Sequence, residues 1–160
     1  MRFVNRWRAP RWVRFWMLSA SRGGDGWLWC ALGVVLLLSG GPRKLAAVSS
    51  GTLAGVAGLT LVLVLKRFSG RERPCAVEPH CWATLRPLDR SSFPSGHSMT
   101  AFAIMVPVAL VYPELAPGWF FCAVSVALSR IILGMHFLSD VLAGSTIGVL
   151  LGYAAYRVLL

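Results

Sequence analysis

Residues 45–65 run for 21 positions without a charged side chain. About 20 apolar residues cross the hydrocarbon core of a bilayer. Every backbone amide at that depth must be bonded within the chain, so the run is expected to be a transmembrane helix. Four more apolar stretches accompany it, at 27–41, 98–112, 119–134 and 141–160. The first is short for a span. Hydrophobic residues make up 56% of the 160, and the mean hydropathy is +0.65. A soluble domain of this size does not carry so much apolar sequence. The expected fold is all-α: an integral membrane helical bundle of about five transmembrane helices, with residues 23–160 as one transmembrane domain.

Residues 1–22 differ from the rest, being rich in Arg and Trp. After Pro10, Val13, Trp16, Met17 and Ala20 recur at helical spacing, with Arg11 and Arg14 turned away. That pattern predicts a basic amphipathic helix lying in the membrane interface, where indole rings also favour the headgroup level. The basic start never leads into a short apolar stretch with a small-residue cleavage site, so no cleavable signal peptide is expected. No internal repeat is apparent.

The formal net charge is +10. Such a balance points to phosphates or anionic membrane lipids as partners. Nucleic acid is excluded, because so apolar a chain cannot present a solvated groove. Cys30 and Cys122 lie in apolar runs and read as packing residues. Cys75 and Cys81 flank the polar loop "CAVEPHC", where either a disulfide or two free thiols fits. A zinc site on Cys75, His80 and Cys81 lacks a fourth ligand, so no metal or other cofactor is expected.

In so apolar a chain, polar residues near membrane depth carry the information, since a charge at the bilayer centre costs about 2.5–3.5 kcal/mol on insertion scales. They form three clusters. "KRFSGRERP", residues 66–74, closes the second span with Lys66, Arg67, Arg71 and Arg73. Alone it reads as a topology-fixing positive flank. "PSGH", residues 94–97, opens the third span, where Ser95 and Gly96 offer a hydroxyl and backbone N–H groups at a helix start. Alone it is an ordinary turn and N-cap beside a histidine. "SRIILGMHFLSD", residues 129–140, places Arg130 in an apolar run, with His136 and Asp140 four apart. On a helix these two share a face, and the carboxylate can accept from one imidazole nitrogen. Such a bond primes the other nitrogen as base or nucleophile. A five-helix topology puts all three clusters at span ends on one membrane face. The resulting inventory suits a phosphoryl group: cations for its oxygens, one imidazole to attack and one to protonate the leaving oxygen.

At this point the sequence resembles the type-2 phosphatidic acid phosphatase (PAP2) superfamily. That family's signature is K-x6-R-P, P-S-G-H and S-R-x5-H-x3-D. Here it reads Lys66 with Arg73-Pro74, then Pro94-Ser95-Gly96-His97, then Ser129-Arg130, His136 and Asp140. The resemblance implies a metal-independent phosphatase that works through a phosphohistidine. His136 is the implied nucleophile, Asp140 orients it, and His97 is the general acid. Lys66, Arg73 and Arg130 are implied to hold phosphate oxygens, helped by Ser95 and the Gly96 N–H. Soluble vanadium haloperoxidases share the signature, but the spans argue against that branch. Many bacterial members have six spans rather than five. The interfacial segment stands where the first of them would be.

A site at the membrane surface suits a lipid phosphate or diphosphate. Undecaprenyl diphosphate is the leading expectation. Phosphatidylglycerol phosphate, phosphatidic acid and lipid A 1-phosphate are alternatives. A non-catalytic anionic-lipid binder is the reading from another class, and the presence of His97, His136 and Asp140 weighs against it. A transporter has no broken-helix pair to rest on. Counting positive charges puts the site in the cytoplasm, because the N-terminal arginines share its face. The "PRK" turn on the opposite face and the possible 75–81 bridge favour a bacterial inner-membrane protein with a periplasmic site.

Overall fold

The computed structural model describes residues 9–39, 41–77 and 91–160. Its helices are α1 (Arg11–Gly23), α2 (Trp27–Ser39), α3 (Lys44–Ser69), the single turn α4 (Pro74–Val77), α5 (Gly96–Val111), α6 (Ala116–Ile132) and α7 (Leu138–Leu159). One 3-10 turn, Gly41–Arg43, leads into α3, and another, Pro113–Leu115, leads into α6. No strand occurs among the described residues.

The five apolar stretches of the sequence are α2, α3, α5, α6 and α7. Three helical segments are long and apolar enough to cross a membrane: Gly41–Ser69, Pro113–Ile132 and Leu138–Leu159. Trp27–Leu38 and Gly96–Val111 are apolar but shorter. Large side chains such as Val34, Leu38, Leu53, Leu63 and Leu150 stand exposed on the outside of the bundle. In water such a surface would drive aggregation, whereas against lipid tails it is solvated. The chain is an integral membrane protein.

The bundle is built around the α5–α7 pair. Gly144, Gly148 and Gly152 fall one turn apart on α7 and face the α5 backbone. A Cβ at Gly144 would stand 2.5 Å from the Ser95 carbonyl oxygen, and one at Gly152 would stand 2.6 Å from that of Ala103. One at Gly148 would collide with the Met99 carbonyl oxygen. Lipid tails are as apolar as leucine, so helices in a bilayer associate through close packing, which small residues permit. Opposite this seam, α3 lays Gly51 and Gly58 against Ile104, Val108, Met99 and Ala103 of α5. Between α2, α5 and α6 the core is filled by Trp29, Leu32, Leu36, Met105, Val108, Ala123 and Val126.

α1 packs against α6 and the turn that follows it. Val13 and Met17 of the expected apolar face are buried against Leu133 and Met135. Trp16 stacks on Phe121 with ring centroids 5.7 Å apart. Trp12 and Phe15 stay 67% and 75% exposed.

Candidate active site

The ends of α3, α5, α6 and α7 bring the three polar clusters to one end of the bundle, and backbone bonds stitch the connecting segments together. Ser92 N–H donates to Arg71 O at 2.7 Å, Cys75 N–H to Gly134 O at 3.1 Å and Ser95 N–H to Asp140 O at 3.0 Å. The last bond joins two of the clusters directly, and the other two tie residues flanking a cluster to another cluster. Cys81 and His80 lie outside the described residues, and with them the expected 75–81 bridge and the zinc reading.

His136 is not on a helix, so the condition under which it would share a helical face with Asp140 is not met. The α6 helix ends at Ile132 and α7 begins at Leu138. The intervening turn folds back so that the amides of Met135 and His136 both donate to Arg130 O, at 3.0 and 3.1 Å. His136 Nδ1 lies 3.8 Å from Asp140 Oδ2, beyond a hydrogen bond, and 2.6 Å from the Ser92 carbonyl oxygen. A carbonyl only accepts, so Nδ1 carries the hydrogen. Nε2 then holds a lone pair, and Arg73 Nη1 donates to it at 3.2 Å. The same guanidinium nitrogen donates to Met135 O at 2.9 Å.

Asp140 is wholly buried and closes the first turn of α7. Its Oδ2 accepts from the Phe137 N–H at 2.8 Å and from the Ser92 hydroxyl, while Oδ1 accepts from Arg71 Nη1 at 2.7 Å. Arg71 also bonds Ser139 and lies over the Phe137 ring, 4.3 Å from its centroid. Asp140 therefore acts on His136 through space and through Ser92, which bonds the carboxylate by its side chain and the imidazole by its carbonyl.

His136 sits in the α6–α7 turn, outside the apolar helices, and is 1% exposed. Burial pushes its imidazole down to about 4. Arg130 and Arg73 push the same way, and Asp140 and the Ser92 carbonyl oppose them. The ring is neutral at physiological pH, as a nucleophile must be.

Lys66, Arg73, Gly96, His97, Arg130 and His136 share the polar end of one cavity of about 920 Å³. Ser95 is buried but turns its hydroxyl to Ser98 at 2.9 Å, away from the cavity lining. Asp140 also stays behind the lining. The first turn of α5 carries His97, whose Nε2 lies 2.6 Å from Asp25 Oδ1 in the α1–α2 turn. Arg130 Nη1 donates to the Ser21 hydroxyl of α1. Away from this end the cavity runs between α2, α3 and α5, past Leu32, Leu36, Gly55, Leu59 and Ile104. Its volume is that of a small-molecule site and its walls are mainly apolar.

A family model described as the PAP2 superfamily matches residues 45–160. The fold is similar to that of LpxE of Aquifex aeolicus, with a TM-score of 0.82 and 29% identity over 98% of this chain and 92% of that one. It is also similar to the PAP2-type phosphatidylglycerolphosphate phosphatase of Bacillus subtilis, with a TM-score of 0.70 and 26% identity over 94% and 78%. Among curated sequences, a lipid A 1-phosphatase of Rhizobium etli is 35% identical over 55% of this chain, a match spanning 40% of that protein's length. A decaprenylphosphoryl-5-phosphoribose phosphatase of Mycobacterium tuberculosis is 31% identical over 85% of this chain and 77% of its own.

Proposed function

This chain belongs to the PAP2 superfamily, and from that premise we propose that it hydrolyses the phosphate or diphosphate headgroup of a membrane lipid through a phosphohistidine. One observation carries the reading: Lys66, Arg73, Arg130, His97 and His136 meet at the polar end of an apolar cavity of about 920 Å³. That arrangement suits a headgroup joined to a hydrocarbon tail.

In the first half-reaction His136 Nε2 forms a bond to phosphorus as the bond to the leaving oxygen breaks. The Arg73 N–H that meets Nε2 moves onto a phosphate oxygen. Lys66, Arg130 and the Gly96 N–H hold the remaining charge, worth most where water is excluded. The proton of the His97 imidazolium passes to the leaving oxygen. In the second half-reaction water attacks phosphorus, His97 takes its proton, the P–N bond breaks and His136 is regenerated. Asp140 and Ser92 keep the His136 ring in register throughout. Ser95 supports the turn from behind. Fixed cations supply the charge stabilisation, so the chemistry is metal-independent.

The first reading of the tail is polyprenyl, with undecaprenyl diphosphate as substrate. The Mycobacterium tuberculosis relative, whose name describes a decaprenyl-borne phosphate, favours it. Lipid A 1-phosphate is the second, favoured by the Rhizobium etli relative. The site faces the periplasm of a bacterial inner membrane, a placement supported by the "PRK" sequence at the opposite end of the bundle.

The test uses the purified chain in detergent with EDTA. Phosphate release is compared among undecaprenyl diphosphate, lipid A 1-phosphate, phosphatidylglycerol phosphate and phosphatidic acid. Turnover of one of them in EDTA is the expected result. Loss in EDTA overturns the metal-free chemistry, and inactivity on all four overturns the lipid phosphatase reading. Labelling Cys75 in intact cells with an impermeant thiol reagent, after reduction, checks the orientation.

A further inference from the structure

The geometry points to Asp25 as the positioning residue of His97, a carboxylate lent by the α1–α2 turn to hold the general acid protonated and in place. The inference rests on the proton-donating role proposed above for His97.

Asp25 Oδ1 lies 2.6 Å from His97 Nε2. A carboxylate only accepts, so the imidazole N–H donates to Asp25. The contact is built into the turn. Gly24 N–H donates to Ala20 O at 3.0 Å, Asp25 N–H to Arg22 O at 3.1 Å and Gly26 N–H to Gly23 O at 3.3 Å. The next helix starts with Cys30 N–H on Gly26 O at 2.9 Å. Asp25 is thus fixed between two helices. Its flanking glycines let the turn seat on the imidazole. A Cβ at Gly24 would stand 3.1 Å from His97 Cδ2 and 2.8 Å from Val126 Cγ1. Gly26 has φ +124°, which L side chains rarely adopt.

The chemistry needs such a partner. A general acid must hold a proton when the leaving oxygen departs. Its neighbours in the polar end of the cavity are Lys66 from α3, Arg73 from the segment after it, Arg130 from α6 and His136 from the α6–α7 turn. These gather phosphate, and their charge opposes an imidazolium beside them. Asp140 is occupied by Arg71, Ser92 and the Phe137 amide. Among the described residues, Asp25 is the carboxylate bonded to His97. It works against that opposition at the one group that must be cationic before the bond breaks and neutral after it. The side chain of Asp25 is 51% exposed and that of His97 21%, so the pair lies at the rim of the cavity.

The test compares Asp25→Asn, Asp25→Glu, His97→Ala and the Asp25→Asn/His97→Ala double variant of the full chain in detergent. Two substrates are used: phosphatidic acid, with an alkoxide leaving group, and p-nitrophenyl phosphate, whose leaving group needs little protonation. Asp25→Asn is expected to lower kcat on phosphatidic acid roughly tenfold to a hundredfold, within the range of general-acid effects. It should shift the basic limb of the pH profile to lower pH and lower the rate on p-nitrophenyl phosphate distinctly less, since there His97 is needed for the water step but little for the leaving group. Asp25→Glu should recover much of the loss, and Asp25→Asn should add nothing in the His97→Ala background. Equal loss on both substrates, an unmoved pH profile or additive loss in the double variant overturns the assignment. NMR supplies a readout independent of turnover. In [15N]histidine-labelled protein the His97 Nε2–H should be downfield and slow to exchange, and should lose both properties in Asp25→Asn. If that signal is present while no ester is hydrolysed, the phosphatase reading fails and the pair stands. If it is absent, the pair fails.

Discussion

The Nδ1 atom of His136 lies 2.6 Å from the Ser92 carbonyl oxygen, and that contact selects the nitrogen that can attack. With Nδ1 committed as a donor, only Nε2 has a free pair, and Nε2 faces the Arg73 guanidinium. His136→Ala should therefore lower kcat by on the order of a thousandfold or more, as loss of a nucleophile does elsewhere. Brief incubation with 32P-labelled lipid should give an acid-labile, base-stable phosphoprotein in the wild type and none in the variant. A labelled His136→Ala protein would move the nucleophile to another side chain.

Acid should destabilise the wild type through His136. Its imidazole is held near 4 in the fold, by burial first, against an ordinary value of 6.5. Between those values the unfolded chain binds more protons than the folded one, so stability falls as pH drops from about 6.5 towards 4. Melting curves in detergent across that window should decline more steeply for the wild type than for His136→Asn, which has no proton to bind. Parallel curves would contradict the burial argument.

Arg71→Gln should strike Asp140 rather than the phosphate. It removes the partner of a fully buried carboxylate. Breaking a buried pair costs about 3–5 kcal/mol, but the Arg71 side chain is 41% exposed, so water takes up part of the load and about 1–3 kcal/mol is expected. Melting temperature and kcat should both fall, with KM changed little. A pure KM effect would place Arg71 on the substrate instead.

Gly148→Ala should force α5 and α7 apart, because its methyl group meets the Met99 carbonyl oxygen. Overpacking of this kind costs about 1–3 kcal/mol, and backbone on both sides leaves little room to relax. A Cβ at Gly118 has nothing within 4 Å. Gly118→Ala should therefore melt with the wild type, and Gly148→Ala well below it.

Gly33→Phe should test what fills the cavity. Gly33 lines it, and a Cβ there meets nothing within 4 Å. The residue can therefore be enlarged at its Cβ without a clash, and the ring is expected to take up part of the cavity. KM for a lipid phosphate should rise about tenfold, the equivalent of 1.4 kcal/mol of lost tail contact. A soluble phosphate ester should be turned over as before. Equal effects on both would mean that the tail lies elsewhere.

The helices were legible in the sequence because an uninterrupted apolar run of about 20 residues has the length of a spanning helix and exceeds that of a spanning strand. The meeting of Lys66, Arg73, Gly96, His97, Arg130 and His136 was legible because topology places alternate span ends together. What escaped depended on turns. The four-residue step from His136 to Asp140 reads as a helical face, yet the amides of Met135 and His136 fold back onto Arg130, so Ser92 comes between imidazole and carboxylate. Arg71 stands in a basic run where spacing does not say which guanidinium turns inward. Ser95 looked like a phosphate ligand but bonds Ser98. Ser21 comes from a segment that composition marks as surface-bound and Asp25 from the break just after it, and only tertiary packing carries them to the site. The Gly144, Gly148 and Gly152 stripe is a period-four pattern visible in the chain, but it takes the facing α5 carbonyls to give it meaning.

The glycine stripe has a mechanical consequence. Where α5 and α7 touch backbone to backbone, nothing between them can compress, so PSGH and the His136–Asp140 turn move as one stiff block. α2 is held far more lightly against α3, and the cavity runs between them. If the cavity takes a lipid tail as proposed, the α2–α3 wall is the one with the least backbone packing to lose. Tail shape and catalytic geometry would then be set by different contacts, the first by the α2–α3 wall and the second by the α5–α7 seam.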